Sequence, residues 1–263
     1  MTTVVGAGTG ANYPVVAGAL CRLEENGLQP TRLIATSGSC LPFAFRARGG
    51  HGRDFLALAR SHPPARLIKP HWAWPLVPGL FHLDAVREMM RPYVAKTFID
   101  CRPPLTVIAF DSDSKSELHY STELTPSMDV ALAVEASMSI PWLMRHVAIG
   151  SVRATDGGSV HNFAIDLPSE PAVGIRVLGA PSQSRPWRWW GSYSLNHVEG
   201  MLAACERAHI DAATWKKHAI LSIDSPISGM DFVKLDTKMI DNLFDVGYRA
   251  VDAKLAGGWR WRQ

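Results

Sequence analysis

Three short stretches of this 263-residue chain carry residue types and spacings that can do chemistry. The first is VVGAGTGA, residues 4 to 11, in which Gly6, Gly8 and Ala11 form a G-x-G-x-x-A pattern between an apolar run and a helix-like run. One use of such a turn is to hold a dinucleotide pyrophosphate, which also requires an acidic residue about twenty positions on, at the end of the next strand. That strand ends IATSGS, and Glu24 and Glu25 fall in the preceding helix-like run instead. The other use is an oxyanion hole, in which backbone N–H groups left free at a helix start face a developing negative charge.

The second stretch is LIATSGSC, residues 33 to 40, with Ser37 at the centre of a cluster of small residues. A nucleophile elbow needs small residues two before and two after its serine, because strand and helix approach closely there. Here those positions are Ala35 and Ser39 rather than glycines. Small-residue turns between strand and helix are also common in proteins with no catalytic serine. The third stretch is ATDGGSVHNFAID, residues 154 to 166. Its Asp156, Gly157 and Gly158 suit either a tight hairpin or a turn that presents the Asp156 carboxylate as a general base. A free aspartate, with a pKa of ~3.9, accepts a proton poorly at neutral pH, so such a role calls for burial beside the nucleophile.

The elements that would position these residues alternate in type. Strands are expected at TTVVGA, TRLIAT, LTVIAFD, ELHYST, AVGIRVLGA and AILSID. Helices are expected over YPVVAGALCRLEENGL, over LPFAFRARGG, and at 83 to 97, 127 to 138, 193 to 216 and 236 to 256. Apolar strands alternating with helices predict a largely parallel sheet covered on both faces. A chain this long buries roughly three quarters of its unfolded surface, and no linker or repeat divides it.

Composition narrows the function classes. A net charge of +3 without a basic run gives no nucleic-acid signature. Cys21, Cys40, Cys101 and Cys205 are scattered with no CxxC pair, which argues against a zinc site or a disulfide framework. The acids of DSDSK, residues 111 to 115, are too few to cage a metal ion. No signal peptide and no apolar run of ~18 residues stands out, so a soluble, cytoplasmic protein is expected. Two segments break the strand and helix order: 63 to 81, rich in Pro and Trp, and 185 to 191, RPWRWWG. They read as core-packed loops or as lid or interface segments, in which Trp72, Trp74, Trp187, Trp189 and Trp190 would touch a membrane peripherally.

Taken in order, GTGAN, ATSGS and DGG resemble the glycine loop, serine elbow and late aspartate turn of the patatin-like phospholipase family. GALCRLEENGLQPTRLIATSGS, VEASMSIPWLMRHVAIGSVRATDGG and FDVGYRAVDAKL are similar to the family's helix and elbow, its Ser-Ile-Pro approach and its closing helix. The resemblance implies an α/β fold, a three-layer α/β/α sandwich with a mostly parallel sheet, forming one hydrolase domain over residues 1 to 263. It implies Ser37 as nucleophile, Asp156 as base, and backbone N–H groups of Gly10, Ala11 and Gly38 as the oxyanion hole. The implied reaction is hydrolysis of a lipid or phospholipid acyl ester through an acyl-Ser37 intermediate, with no metal or organic cofactor. The chain departs from the family at Thr9, where a glycine is usual, at Asn12, where an arginine is usual, and at Tyr13, Ala35 and Ser39, where glycines are usual.

Three alternatives stay open on the sequence. A Ser-His-Asp hydrolase would take its base from His161, His197, His209 or His218, all downstream of Asp156. A catalytically degenerate member would keep the fold as a lipid or protein binding module. A dinucleotide-binding oxidoreductase would use the glycine turn at 4 to 11.

Overall fold

The computed structural model describes residues 2–70, 79–180, 189–214, 217–232 and 235–261. In chain order the elements begin β1 (Thr3–Gly6), α1 (Tyr13–Glu25), β2 (Arg32–Thr36), α2 (Cys40–Ala47), α3 (Gly52–Ser61) and α4 (Pro64–Leu67). There follow β3 (Lys69–Pro70), β4 (Phe81–His82), α5 (Asp84–Met90), β5 (Leu105–Asp111), β6 (Ser116–Ser121) and α6 (Val130–Met138). The chain closes with β7 (Val147–Ile149), β8 (Val152–Asp156), α7 (Gly158–His161), β9 (Ala172–Gly179), α8 (Trp189–Ala212), β10 (Ala219–Ser225) and α9 (Thr237–Ala256).

The main sheet runs β10, β9, β1, β2, β5, with the first four neighbouring pairs all parallel. Beyond β5 the direction changes. β6 pairs antiparallel along one edge of β5 over Thr106–Asp111, while β8 pairs antiparallel with Ala109, Phe110 and Asp111, and β7 extends β8. The expectation of a mostly parallel sheet therefore holds for its central part and gives way at one side, where β5–β6 and β7–β8 have short hairpin connections and β8 returns antiparallel to β5.

Alternation along the strands builds the layers. Val4, Leu33, Ala35 and Val107 face one apolar cluster, which includes residues of α1, α2, α3, α5, α6 and α9. Their neighbours Val5, Ile34 and Ile108 face the opposite one, with Phe163, Ile165 and Ala213. Side chains alternate across a strand, so a sheet with both faces covered shows this two-residue switching between cores. The result is the expected three-layer α/β/α arrangement. α1 and α9 cross closely because a Cβ on Gly18 would lie 2.0 Å from Phe244 O and one on Gly247 would lie 1.9 Å from Val15 O.

One expectation is corrected. The helix read over 83 to 97 is confined to Asp84–Met90 with a single 3-10 turn at Arg91–Tyr93, because Pro92 removes a backbone donor. The short strands β7 and β8 were not anticipated, nor was helix α3, although its Phe55, Leu58 and Ala59 form a buried amphipathic face. Of the five tryptophans read as interfacial, Trp72, Trp74 and Trp187 lie outside the described residues, and Trp189 and Trp190 are described as the start of α8 only. No described helix is long and apolar enough to cross a membrane.

Candidate active site

Ser37 follows β2 directly and opens a single 3-10 turn, Ser37–Ser39, that runs into α2. Its φ is +53°, a left-handed conformation that is costly for a residue with a Cβ. Two bonds hold the turn: the Ser37 N–H donates to Ser137 Oγ at 2.8 Å, and Ser137 Oγ donates to Ile108 O at 2.5 Å. Ser137, in the last turn of α6, is a supporting residue that the sequence reading missed. Its only signal is its place in the small-residue run EASMS before the Ser-Ile-Pro segment.

The departures at Ala35 and Ser39 are accommodated by one glycine upstream. Ala35 is fully buried and lies opposite Gly6 in the β1–β2 register. A Cβ on Gly6 would stand 2.8 Å from Ser39 Cβ, so the absent Gly6 side chain makes room for the Ser39 hydroxymethyl. Ser39 Oγ accepts from the Thr36 N–H at 3.2 Å and lies 2.8 Å from Thr36 O and 3.0 Å from Gly6 O. The hydroxyl thereby ties the elbow to β1 and to its own strand end.

Asp156 is the last residue of β8, where it lies opposite Ala109 of β5, and not the tip of a tight hairpin. β2 ends at Thr36, opposite the preceding residue, Ile108. With β6 on the other edge of β5, β2 and β8 share one edge, and their C-terminal ends meet there. Ser37 Oγ donates to Asp156 Oδ2 at 2.6 Å, and the other oxygen, Oδ1, accepts from the Gly158 N–H at 2.7 Å. Gly157 is required by close approach, since a Cβ there would lie 2.3 Å from Ile108 O. Burial raises the Asp156 carboxyl to about 7, against the opposing pull of the bonds from Ser37 and Gly158. A carboxyl tuned to that range is a far better proton acceptor near neutral pH than a free aspartate.

The glycine loop packs over this pair. Gly8 donates its N–H to Asn162 O at 2.7 Å, and a Cβ on it would come within 3.3 Å of Ser37 Cβ. Gly10 has φ +51°, and a Cβ on Gly38 would lie 2.8 Å from Gly10 N, so these two backbones meet beside Ser37. Neither the Gly10 nor the Gly38 N–H has an acceptor among the described residues. Ala11 differs. Its N–H donates to Gly229 O at 2.7 Å, which removes it from the expected oxyanion set. Asn12, at the family's arginine position, is buried and structural, accepting from Ser225 Oγ at 2.6 Å and donating to Ile227 O at 3.3 Å.

Among the described side chains, none of the candidate histidines serves Ser37. His161 Nδ1 lies 2.8 Å from Glu117 Oε1 and its Nε2 lies 2.6 Å from Asp166 Oδ1, so both ring nitrogens face carboxylates and neither faces Ser37. His209 stacks on His161 with ring centroids 3.8 Å apart and bonds Asp166 and Val160 O. His218 accepts from the Ala172 N–H at 3.0 Å, and the His197 side chain lies outside the described residues. Burial would pull the His161 pKa down, but its bonds to Glu117 and Asp166 outweigh that and raise it. Burial likewise opposes the shift at Glu117, where bonds from His119 and His161 hold the carboxyl down at about 2. Glu117, His119, Asp166 and His209 have the donor types for a cation around His161. Their hydrogen bonds to one another make them a partly exposed ionic network around the buried His161, next to the Asp156 turn. That turn is also fastened to the elbow, because Thr36 Oγ1 donates to His161 O at 3.1 Å.

The dinucleotide reading fails as well. Glu24 pairs with Arg46, and Glu25 pairs with Arg22 and Arg53, at the far end of α1 from the glycine turn. In the DSDSK turn, Asp111 accepts from Asp113 N and Ser114 Oγ while Asp113 pairs with Arg153, so those carboxylates serve the turn itself.

With this geometry in place, comparison with known proteins is decisive at one level. The patatin-like phospholipase model matches residues 4–168. The chain belongs to the patatin-like phospholipase family. At the level of the family this is a fold for lipid acyl hydrolysis. A relative, the uncharacterized protein YqhO of Bacillus subtilis (strain 168), is 26% identical over 212 residues, covering 68% of this chain and 72% of its own length. Among solved structures, VipD from Legionella pneumophila is similar with TM-score 0.54 at 10% identity, over 97% of this chain and 67% of that one. The type III effector protein ExoU is similar with TM-score 0.51 at 14% identity, over 97% of this chain and 53% of its own; it comes from Pseudomonas aeruginosa. The patatin-like chain thus spans about half of ExoU, and at these identities the two structures speak for the fold alone.

Proposed function

We propose that this patatin-like chain hydrolyses lipid acyl esters, with Ser37 as nucleophile and Asp156 as general base. The observation that carries the reading is the 2.6 Å bond from Ser37 Oγ to a buried Asp156 on a residue held at φ +53°. Asp156 takes the hydroxyl proton as Oγ attacks the ester carbonyl carbon, and returns it to the departing alkoxide when the C–O bond breaks. Water then attacks the acyl-Ser37 ester, with Asp156 again taking the proton. The N–H groups of Gly10 and Gly38 stabilise the oxyanion in both steps.

Two cavities meet at Ser37. One is apolar, lined by Tyr13, Leu41, Phe55, Val86, Met90 and Met144 among others, and suits an acyl chain. Pro64, Leu67 and Ile68 line it too, so the described start of the Pro- and Trp-rich segment covers part of this cavity. The other is more polar and contains Asp156, Thr9 and Asn162. Peripheral contact with a lipid surface is part of this reading. Support comes from Trp142, which is 83% exposed and follows Pro141 on the rim of the polar cavity, a setting in which an indole suits the water–lipid boundary. Residues 1 to 263 are read as one hydrolase unit.

The test is fluorophosphonate labelling together with turnover on a panel of lipid esters. Labelling and turnover should be present in the wild type and absent in Ser37→Ala. Unlabelled, inactive, well-folded wild type would favour a binding module and defeat the proposal.

A further inference from the structure

Of the described side chains that line the apolar cavity, three carry an O–H or N–H group: Ser37, Tyr13 and His62. Ser37 is the attacking residue. His62 is half-buried, and its Nδ1 donates to Leu58 O, in the helix it follows, at 3.2 Å. Tyr13 is different. It opens α1 directly after the glycine loop and is 5% exposed. Its ring stands edge-on to Phe55, with centroids 6.0 Å apart and planes at 86°, so the packing of α1 against α3 fixes where the phenol sits. A glycine is usual at this position in the family, so the phenol is an addition to the common site.

The Tyr13 hydroxyl has no hydrogen-bond partner among the described residues. Thr9 Oγ1 and Asn162 Oδ1 also lack one, but the fold seals those two atoms off. The Tyr13 hydroxyl is not sealed, and the open space that Tyr13 borders is the apolar cavity. Burial alone pushes its pKa above that of a free phenol, which leaves a neutral O–H able to donate and to accept. Buried polar groups are nearly always paired, because an unpaired one costs stability. A hydroxyl left open on the wall of a cavity is completed by what enters that cavity.

The rest of the wall limits what can enter. Leu41, Phe55, Leu83, Val86 and Met90 offer neither charge nor hydrogen bonds, so the entering group is a hydrocarbon chain with a neutral oxygen on it. We infer that Tyr13 is a specificity-determining residue whose hydroxyl bonds a hydroxyl on the acyl chain, which makes esters of hydroxylated fatty acids the preferred substrate class. The inference rests on the hydrolase reading above, since it takes the apolar cavity as the acyl site. Without Tyr13 the same cavity would reject such a chain, because a hydroxyl taken out of water without a partner is costly.

The test compares kcat/KM for the methyl ester of a saturated fatty acid with the methyl esters of its monohydroxylated derivatives, the hydroxyl set near the carboxyl, in mid-chain or near the methyl end. All share one leaving group, so the ratios report the acyl side alone. Wild type should prefer at least one hydroxylated isomer over the parent ester by about fivefold or more, the worth of one neutral hydrogen bond. In Tyr13→Phe, which keeps the ring, that ratio should fall to unity or below. The variant should melt no lower than wild type, because it loses an unpaired hydroxyl and no contact. A ratio unchanged in Tyr13→Phe, with all esters slowed alike, would overturn the inference by showing a general role for the phenol. So would a wild type that prefers the parent ester over every isomer; if its turnover is lost in Ser37→Ala, the hydrolase reading stands. No turnover of any ester by folded wild type would defeat both.

Discussion

Ser37 and Asp156 are 119 positions apart in the chain and 2.6 Å apart in space because their strands end on adjacent residues of β5. Thr36 lies opposite Ile108 and Asp156 opposite Ala109. β2 runs parallel to β5 and β8 antiparallel, so the two strand ends point at each other along a shared edge. The pair is thus built on sheet register, the most rigid reference the fold has, and its Gly157 approaches the same Ile108 carbonyl that Ser137 binds.

This arrangement sets a pH profile for turnover. The base must be ionised to accept the Ser37 proton, and burial raises its pKa to about 7. Hydrolysis of a short acyl ester should therefore climb as pH increases through about 7 and level off above it. Asp156→Asn should lower kcat by roughly 10²-fold to 10⁴-fold at pH 8. A profile already flat from pH 5 would contradict a raised, buried base.

The same shift has a cost in stability, and its sign can be worked out. Asp156 binds its proton more tightly when folded than an ordinary aspartate of pKa 3.8, so the wild type loses stability as pH rises between about 4 and 7. The loss is on the order of 2–4 kcal/mol. Asp156→Asn has no such titration. Its melting temperature should exceed that of wild type at pH 8, with the gap narrowing toward pH 4. A gap independent of pH would show that Asp156 titrates normally.

The elbow's tolerance of Ser39 is predicted to depend on Gly6. Gly6→Ala places a Cβ 2.8 Å from Ser39 Cβ and should destabilise the protein by about 1–3 kcal/mol while reducing turnover. Ser39→Gly in the same chain should recover much of that loss. Denaturant unfolding of both single variants and the double variant closes the cycle, and additive effects would rule out this packing account.

His161 is predicted to act on stability and not as the base. His161→Gln leaves Glu117 and Asp166 without their cationic partner, so unfolding free energy should fall. The raised His161 pKa means that its contribution is full at acid pH and declines as pH rises through a value above 6.5. The deficit of the variant should accordingly be larger at pH 6 than at pH 9. Measured below its melting temperature, the variant should still turn over a short ester, and complete loss of activity in folded protein would revive a histidine base.

The sequence by itself determined the local parts. The two-residue alternation in VVGA, RLIAT and LTVIAFD fixes which side chains face each core, and the small residues of GTGAN, ATSGS and DGG mark where backbones must approach one another. Those features depend on neighbours in the chain, so they can be read one segment at a time. Tertiary structure decided how the segments serve each other. Ala11 looked like an oxyanion donor until Gly229, from a loop more than two hundred residues later, accepted its N–H. Ser39 looked too large for an elbow until Gly6 of the adjacent strand left it space, and Ser137 drew no notice because nothing in its own segment sets it apart. Hydrogen-bond partners and burial are properties of what folds against a residue. Only the folded sheet could show that Asp156 is dry, raised in pKa and aimed at Ser37.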